Sequence, residues 1–330
     1  MRIHRRMAAL LAAGLFATVL ASGQASAQTT NYPTKPVRMV VSFAVGGPTD
    51  LVARVIAAKL TEYLGQQFIV ENRPGAGGNI GADMVSKAAP DGYTLLMATV
   101  STHATNALLY KKIPYDPITG FTPIGQVGIT PIVLVAHPSV PATDLKSLVA
   151  LLKANPGKYT YGSSGLGSIL HLCGEQFKMV AGVDWTHVPY RGSAPMMNDL
   201  VAGQVPLAWD GTPSAMPQIE AKAIRVLATG TQKRARQLPD VPTMAELGYP
   251  TYDCYTWNAV FGPPKMPEPI VKKLNEAIQR AIDDPATFKK LQEVGIDPTP
   301  KQTPEMLAAF VKAELAKWEP IAKASGVQLD

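Results

Sequence analysis

The chain has 330 residues, with 31 basic and 25 acidic side chains, five histidines and two cysteines. At 46% hydrophobic and 17% charged it can bury a core, which excludes a disordered or acidic tail. Two cysteines exclude a disulfide scaffold and any multi-cysteine zinc or iron–sulfur site.

Residues 1–27 read as a signal peptide. Arg2, Arg5 and Arg6 form the positive start, Ala8 to Ala21 the apolar run, and Ala25-Ser26-Ala27 the cleavage site. The run is shorter than the ~18–20 apolar residues of a membrane span. Its removal takes three arginines and no acid, halving the net charge of +6. With no basic cluster interleaved with aromatics, the sequence predicts no nucleic-acid partner.

The mature chain opens with a β-branched apolar run, 37–43, read as a buried strand. A glycine turn follows, then Leu51, Val52, Val55, Ile56, Leu60 and Leu64 at helical spacing, with Gly65 as a stop. Residues 67–71 form the next strand. Strand, helix and strand in this span make a parallel βαβ unit. A short helix at 79–88 and a strand at 94–98 continue an α/β architecture. Two long extended stretches, 122–136 and 251–263, enclose a second α/β set. Its strands lie near 159–163, 186–189, 205–209 and 224–228, and its helices near 143–154, 168–181, 193–202 and 214–222. The rest is helical, with amphipathic segments around 271–278 and 307–318 expected to cover the first sheet. The order predicts a discontinuous first domain (28–128 plus 255–330), an inserted second domain (129–254), and two extended hinge crossings.

Two segments have the composition of anion loops. In Phe43 to Asp50 a strand ends, Gly46-Gly47 turn, and a helix begins at Pro48-Thr49. Glycines admit a ligand to the backbone, and the free N–H groups of a helix start favour a carboxylate or phosphate. Thr49 is the expected hydroxyl contact. Asp50 would repel an anion, so it caps donors, holds water or receives an ammonium. The second loop, Gly162 to Ser168, offers Ser163, Ser164, Gly165 and Ser168, with His171 one turn into the helix. Lesser candidates end other strands: Ser101, Thr102 and Asn106; Tyr190 and Arg191, the latter suited to a bidentate carboxylate pair; and Trp209 and Asp210. Trp209 and Phe43 tilt the expectation toward a ligand with some apolar body.

Several patterns are decoys. Gly75-Ala76-Gly77-Gly78-Asn79-Ile80 lacks the last glycine of a dinucleotide fingerprint. No phosphate-binding P-loop occurs, and no histidine pair has metal-ligand spacing, so no cofactor or metal is expected. Export permits a disulfide between Cys173 and Cys254, but a helix and a presumed hinge, far apart in sequence, favour two unpaired thiols. A hydrolase using Ser164 or Ser168 with His171 is a weaker reading, because no nucleophile elbow is present.

The strings YPTKPVRMVVSFAVGGPTDLVARVIAAKL, VENRPGAGGNIGADMVSKAAPDGYTLL, YDPITGFTPIGQV, YGSSGLGSILHLCGE, VPYRGSAPMMNDLVAGQV, PDVPTMAELGY and PPKMPEPIVKKLNEAI resemble the substrate-binding proteins of tripartite tricarboxylate transporters, the Bug family. The resemblance covers nearly the whole mature chain. It implies a two-domain periplasmic binding protein of the Venus-flytrap, type II-like kind, with a cleft between the domains and no catalysis. It also implies that the loops at 43–50 and 162–168 grip a ligand carboxylate. The implied partners are a small carboxylate (di- or tricarboxylate, acidic amino acid or aromatic acid), the permease subunits and, alternatively, a membrane sensor kinase; the protein would be a monomer. Ala44-Val45, Ala221-Lys222-Ala223 and Trp209 depart from the family pattern, so the ligand cannot be copied from relatives.

Overall fold

The computed structural model describes residues 31–330; the signal-peptide reading of 1–27 lies outside them. In chain order the elements are β1 (Val37–Val41), α1 (Pro48–Leu64), β2 (Phe68–Asn72), α2 (Asn79–Ser86), β3 (Thr94–Thr99), α3 (Asn106–Leu109), β4 (Thr122–Ala136), α4 (Leu145–Ala154), β5 (Thr160–Ser163), α5 (Ile169–Ala181) and β6 (Thr186–Pro189). Then follow α6 (Ser193–Val201), β7 (Leu207–Gly211), α7 (Thr212–Glu220), β8 (Arg225–Thr229), β9 (Tyr255–Gly262), α8 (Glu268–Asp283), α9 (Pro285–Glu293), β10 (Asp297–Pro298) and α10 (Pro304–Ser325).

The strands form one continuous sheet in two parts joined by β4. In the first part β2, β1 and β3 are parallel, and β9 runs antiparallel between β3 and β4. In the second part β6, β5 and β7 are parallel, and β4 runs antiparallel to β7 and β8. The register divides β4. Residues Thr122 to Pro131 pair with β9, and Ile132 to Ala136 with β7. Pro131 sits at that division. Just beyond it the chain is tied by Gly230 N–H to Ile132 C=O (2.7 Å) and Cys254 N–H to Gly230 C=O (2.8 Å). Both parts are wound by right-sized βαβ units, so all the turns that follow parallel strands leave at strand carboxyl ends.

Local chemistry explains the framing helices. In α1, Val52, Ile56 and Leu60 are buried at four-residue spacing, Pro48 occupies the first turn, and Gly65 closes the helix at φ 71°. In α8, Ile270, Val271, Leu274, Ile278 and Ile282 form one buried stripe laid on β4 and α1. The expectation that both C-terminal helices cover the first sheet holds, and α10 reaches beyond it. Helix α10 packs on the 101–105 turn and β4, and also on α5 of the second part. One of three hydrophobic clusters among the described residues runs through both parts, holding Val40, Leu96, Leu172, Trp185, Trp209 and Trp318 together.

The sequence reading missed the helical stretch Ser101 to Leu109 and β10. Ser101–Thr105 forms a π-turn. It has no apolar period, so the hydrophobic pattern could not signal it. Tertiary packing holds it instead: the buried His103 ring lies 4.5 Å from Phe121 and 4.1 Å from Phe261.

The unpaired-thiol expectation is corrected. Cys173 on α5 and Cys254 form a disulfide, with their Cα atoms 5.7 Å apart. Folding brings α5 beneath the crossing segment, a proximity that sequence spacing does not report.

Candidate functional site

The β1–α1 loop turns at Gly46, whose φ of 79° suits glycine. Gly47 caps α1 without a side chain. Pro48 has no N–H, and the Thr49 and Asp50 N–H groups have no partner among the described residues. The helix start therefore presents open donors with the positive dipole end behind them. Asp50 is buried and turned inward. Its Oδ2 accepts from Gly46 N–H and Arg54 Nε (both 2.9 Å), and its Oδ1 from Asn72 Nδ2 (3.0 Å). Burial alone would raise its pKa. The bonds from Arg54, Gly46 and Asn72 outweigh that and hold it below the ordinary carboxylate value. Asp50 thus shapes the loop and offers no free oxygen. Asn72 also donates to Phe43 C=O (3.0 Å), fixing the start of the turn.

The glycine run dismissed as a decoy builds the floor beside this loop. Gly75, Gly77 and Gly78 all have positive φ. A Cβ on Gly78 would lie 2.9 Å from Thr102 Cγ2 and 3.2 Å from the Phe43 ring. Phe43, Gly78 and Thr102 are therefore in one cluster. Thr102 and Asn106 are buried and employed: Thr102 Oγ1 accepts from Thr99 N–H (3.1 Å), and Asn106 Nδ2 donates to Gly77 C=O (2.9 Å) and Asn79 Oδ1 (2.7 Å). Half-buried Ser101 has no such bond.

The β5–α5 loop is held from below by two imidazoles. His171 and His187 stack with centroids 3.8 Å apart and planes 15° from parallel. His187 Nε2 pairs with Ser163 Oγ at 2.7 Å. Gly167 N–H donates to His171 Nδ1 at 3.2 Å, so the neutral ring carries its proton on Nε2, toward Glu175. Burial lowers the pKa of His171 to about 4. Burial and then the neighbouring His171 lower that of His187 to about 3. Ser168 caps α5, accepting from His171 N–H at 3.2 Å and donating to Gly165 C=O at 2.7 Å. Neither Ser164 nor Ser168 meets the His171 ring, so the nucleophile–base contact of the hydrolase reading is not formed. Ser164 remains half-buried, and Leu166 stands exposed at the tip.

The remaining candidates separate. Tyr190 is turned to Asp199 through its hydroxyl (2.9 Å). Arg191 is exposed beside Gly192 and forms no ion pair with the described residues. Asp210 is buried; it accepts from Ser193 Oγ (2.7 Å), Gly211 N–H (2.8 Å) and Ser214 Oγ, tying the starts of α6 and α7 together. Burial raises its pKa against those bonds. Trp209 does not reach a ligand surface. It is fully buried, stacked on Tyr252 at 5.3 Å, because successive β7 side chains face opposite sides of the sheet. His187, Ser193, Ser214 and the Gly75–Gly78 run were missed as site builders. Only the glycines carried a local signal.

The β5–α5 loop rests on the end of α3 and on the C-terminal tail. A Cβ on Gly167 would lie 2.9 Å from Leu329 Cδ1 and 3.4 Å from Leu109 Cδ1. Open helix starts at strand carboxyl ends in both parts of an α/β sheet are the arrangement of a solute-binding protein.

The comparisons agree. The family described as "Tripartite tricarboxylate transporter family receptor" matches residues 52–327. Protein BugT of Bordetella pertussis is 37% identical over 318 residues, 96% of this chain and 97% of that protein. Among solved structures, Rpa4515 of R. palustris with adipate superposes with a TM-score of 0.80 at 42% identity, covering 90% of this chain and 99% of that one. MatC of Rhodopseudomonas palustris with bound malate gives 0.76 at 35%, covering 88% and 100%. The chain belongs to the tripartite tricarboxylate transporter receptor family, a family of two-domain periplasmic binding proteins that bind solutes and are not enzymes.

Proposed function

We infer that this protein is an exported receptor that captures a small organic carboxylate between two lobes and delivers it to a tripartite membrane permease. The lobes are residues 28–128 plus 255–330 and residues 129–254. The observation that carries the reading is the pair of loops with open N–H donors, Thr49 and Asp50 at α1 and Leu166 and Ile169 at α5, one in each part of the sheet. Each suits a carboxylate oxygen. The adipate and malate held by two relatives support that class of ligand. Bending at Pro131 and near Cys254 would bring the loops together on the ligand, shifting an open–closed equilibrium. Among the described residues no helix is long and apolar enough to cross a membrane, so a permease must supply the passage.

A carboxylate panel in a thermal-shift assay tests this. A ligand at 100 times Kd adds about 2.7 kcal/mol to folded-state stability. If no carboxylate raises the melting temperature or binds by calorimetry, the reading fails.

A further inference from the structure

A second cavity lies beside the two chain crossings. It measures about 570 Å³, within the ~300–1,000 Å³ of small-molecule sites. No residue of the loops at 43–50 and 162–168 lines it. Its walls come from both parts of the sheet. Gln126 and Ile129 of β4 and the stretch after Ile296 form one side, and the segment that follows β8, Thr231 to Arg236, forms the other. Protein contacts hold these walls. Thr231 Oγ1 donates to Lys233 C=O (2.6 Å), and Gln232 Nε2 donates to Tyr252 C=O (2.7 Å), which ties the turn to the second crossing. Phe310 of α10 stands edge-on to the buried Trp257, ring centroids 5.5 Å apart.

The polar groups of the lining that lack partners differ in charge. Gln126 is only 3% exposed, yet its side-chain amide makes no hydrogen bond to any described residue. A buried amide left unbonded is costly, so one that lines a cavity marks where a bound group completes it. Asp297 receives at Oδ2 only a 3.4 Å bond from Arg236 N–H, and its Oδ1 has no partner. Burial accordingly raises its pKa, and a cation beside it would relieve that cost. Lys233 is exposed and forms no ion pair with the described residues. Its charged neighbours are engaged: Arg234 pairs with Glu246 at 2.9 Å, Arg236 lies over the Phe288 ring at 5.3 Å, and Asp253 meets Lys317 at 3.3 Å.

An anion alone would leave Asp297 short of a partner, and a cation alone would leave Lys233 so. A zwitterion uses both. The rest of the wall, with Ile129, Tyr255, Pro298 and Phe310, suits an apolar side chain. We propose that this cavity is a second binding site, for a neutral α-amino acid with an aromatic or branched apolar side chain, its ammonium on Asp297, its carboxylate on Lys233 and its polar end completed by the Gln126 amide. No residue of the two anion loops takes part, so this site stands apart from the carboxylate reading. A molecule seated here bridges the two parts of the sheet beside the crossings.

Calorimetry of the exported protein with L-phenylalanine, L-leucine, L-serine, 3-phenylpropionate and 2-phenylethylamine tests it. L-phenylalanine and L-leucine should bind. 3-Phenylpropionate lacks the ammonium and 2-phenylethylamine the carboxylate, so each should bind at least about tenfold more weakly than L-phenylalanine. L-serine, without an apolar body, should also be at least about tenfold weaker. Asp297→Asn and Lys233→Ala should weaken L-phenylalanine about tenfold, and Gln126→Leu about fivefold. 3-Phenylpropionate or 2-phenylethylamine binding as tightly as L-phenylalanine would overturn the proposal. So would native affinity in all three variants, which would place the amino acid elsewhere on the protein. Binding of neither amino acid overturns it as well, and leaves the carboxylate reading untouched. The ligand comparisons need only the native chain, so they decide the matter even where Gln126→Leu, in a central strand, fails to fold.

Discussion

Loss of the Cys173–Cys254 bond should weaken the fold measurably. Both residues are fully buried, and the bond closes a loop of 81 residues that contains β6, β7 and β8. It ties α5, which carries the ligand loop, to the segment that leads back into β9. In the chain-entropy account, a cross-link closing that loop removes about 4.5 kcal/mol of unfolded-state freedom. Native bonds deliver part of such a figure, so the Cys173→Ala/Cys254→Ala protein should lose about 2–4 kcal/mol. Urea unfolding reads this directly. All four tryptophans, Trp185, Trp209, Trp257 and Trp318, are buried and report by fluorescence. With a slope near 3 kcal/mol/M, the midpoint should fall by roughly 1 M. A midpoint unchanged to within about 0.2 M, with no 2-dalton mass difference between native and reduced protein, would refute the cross-link and its stabilising role.

Other predictions follow from single contacts. Glu314 is buried and accepts from Tyr255 hydroxyl (3.1 Å), Trp257 Nε1 (3.0 Å) and Trp318 Nε1 (3.3 Å), with Lys317 beside it; Glu314→Ala strands three donors and should cost about 3–5 kcal/mol by urea unfolding, and Glu314→Gln less. Burial holds His103, His171 and His187 neutral, with pKa values of about 3, 4 and 3. Below pH 6.5 the unfolded chain takes up protons that the folded chain refuses, so stability should fall as pH drops from 6.5 toward 4. The slope is up to ~1.4 kcal/mol per pH unit for each histidine; His171→Gln and His187→Asn proteins should show a shallower fall between pH 6.5 and 5, and an unaltered slope would refute the assignment. Ending the chain at Gly326 removes Leu329 from against Gly167 and Leu109, and breaks its backbone bonds to Leu109 C=O (2.7 Å) and from Lys111 N–H (3.0 Å). Ligand affinity should then drop about fivefold as the ligand loop loosens, a change worth ~1 kcal/mol; equal affinity in calorimetry would show that the tail plays no part.

Much of the fold was legible because it is written in local patterns. The β-branched run at 37–43 and the four-residue spacing from Val52 to Leu60 each declare an element without reference to the rest of the chain. The glycine turns after β1 and β5 were legible for the same reason, since positive φ at Gly46 and Gly167 is a local requirement. Side-chain roles were less so. Trp209 reads as a ligand platform until the sheet shows that its face is the one covered by Tyr252. Asp50 reads as a cap for backbone donors, but no local pattern names Arg54 and Asn72 as its partners, or Ser193 and Ser214 as those of Asp210. His187, half-buried in a short strand, had no reason to stand out before its ring was found under Ser163 and His171.

By itself the sequence determined the alternation of strands and helices, the glycine-opened helix starts and the family. These depend on backbone preferences and hydrophobic periods that act over a few residues. Only the tertiary structure decided which thiols meet, which acids are free, that α10 spans both parts, and that Gly167 rests on the last residues of the chain. Those facts arise from contacts between segments up to a few hundred residues apart, where packing and desolvation select the partner and no local signal records the choice.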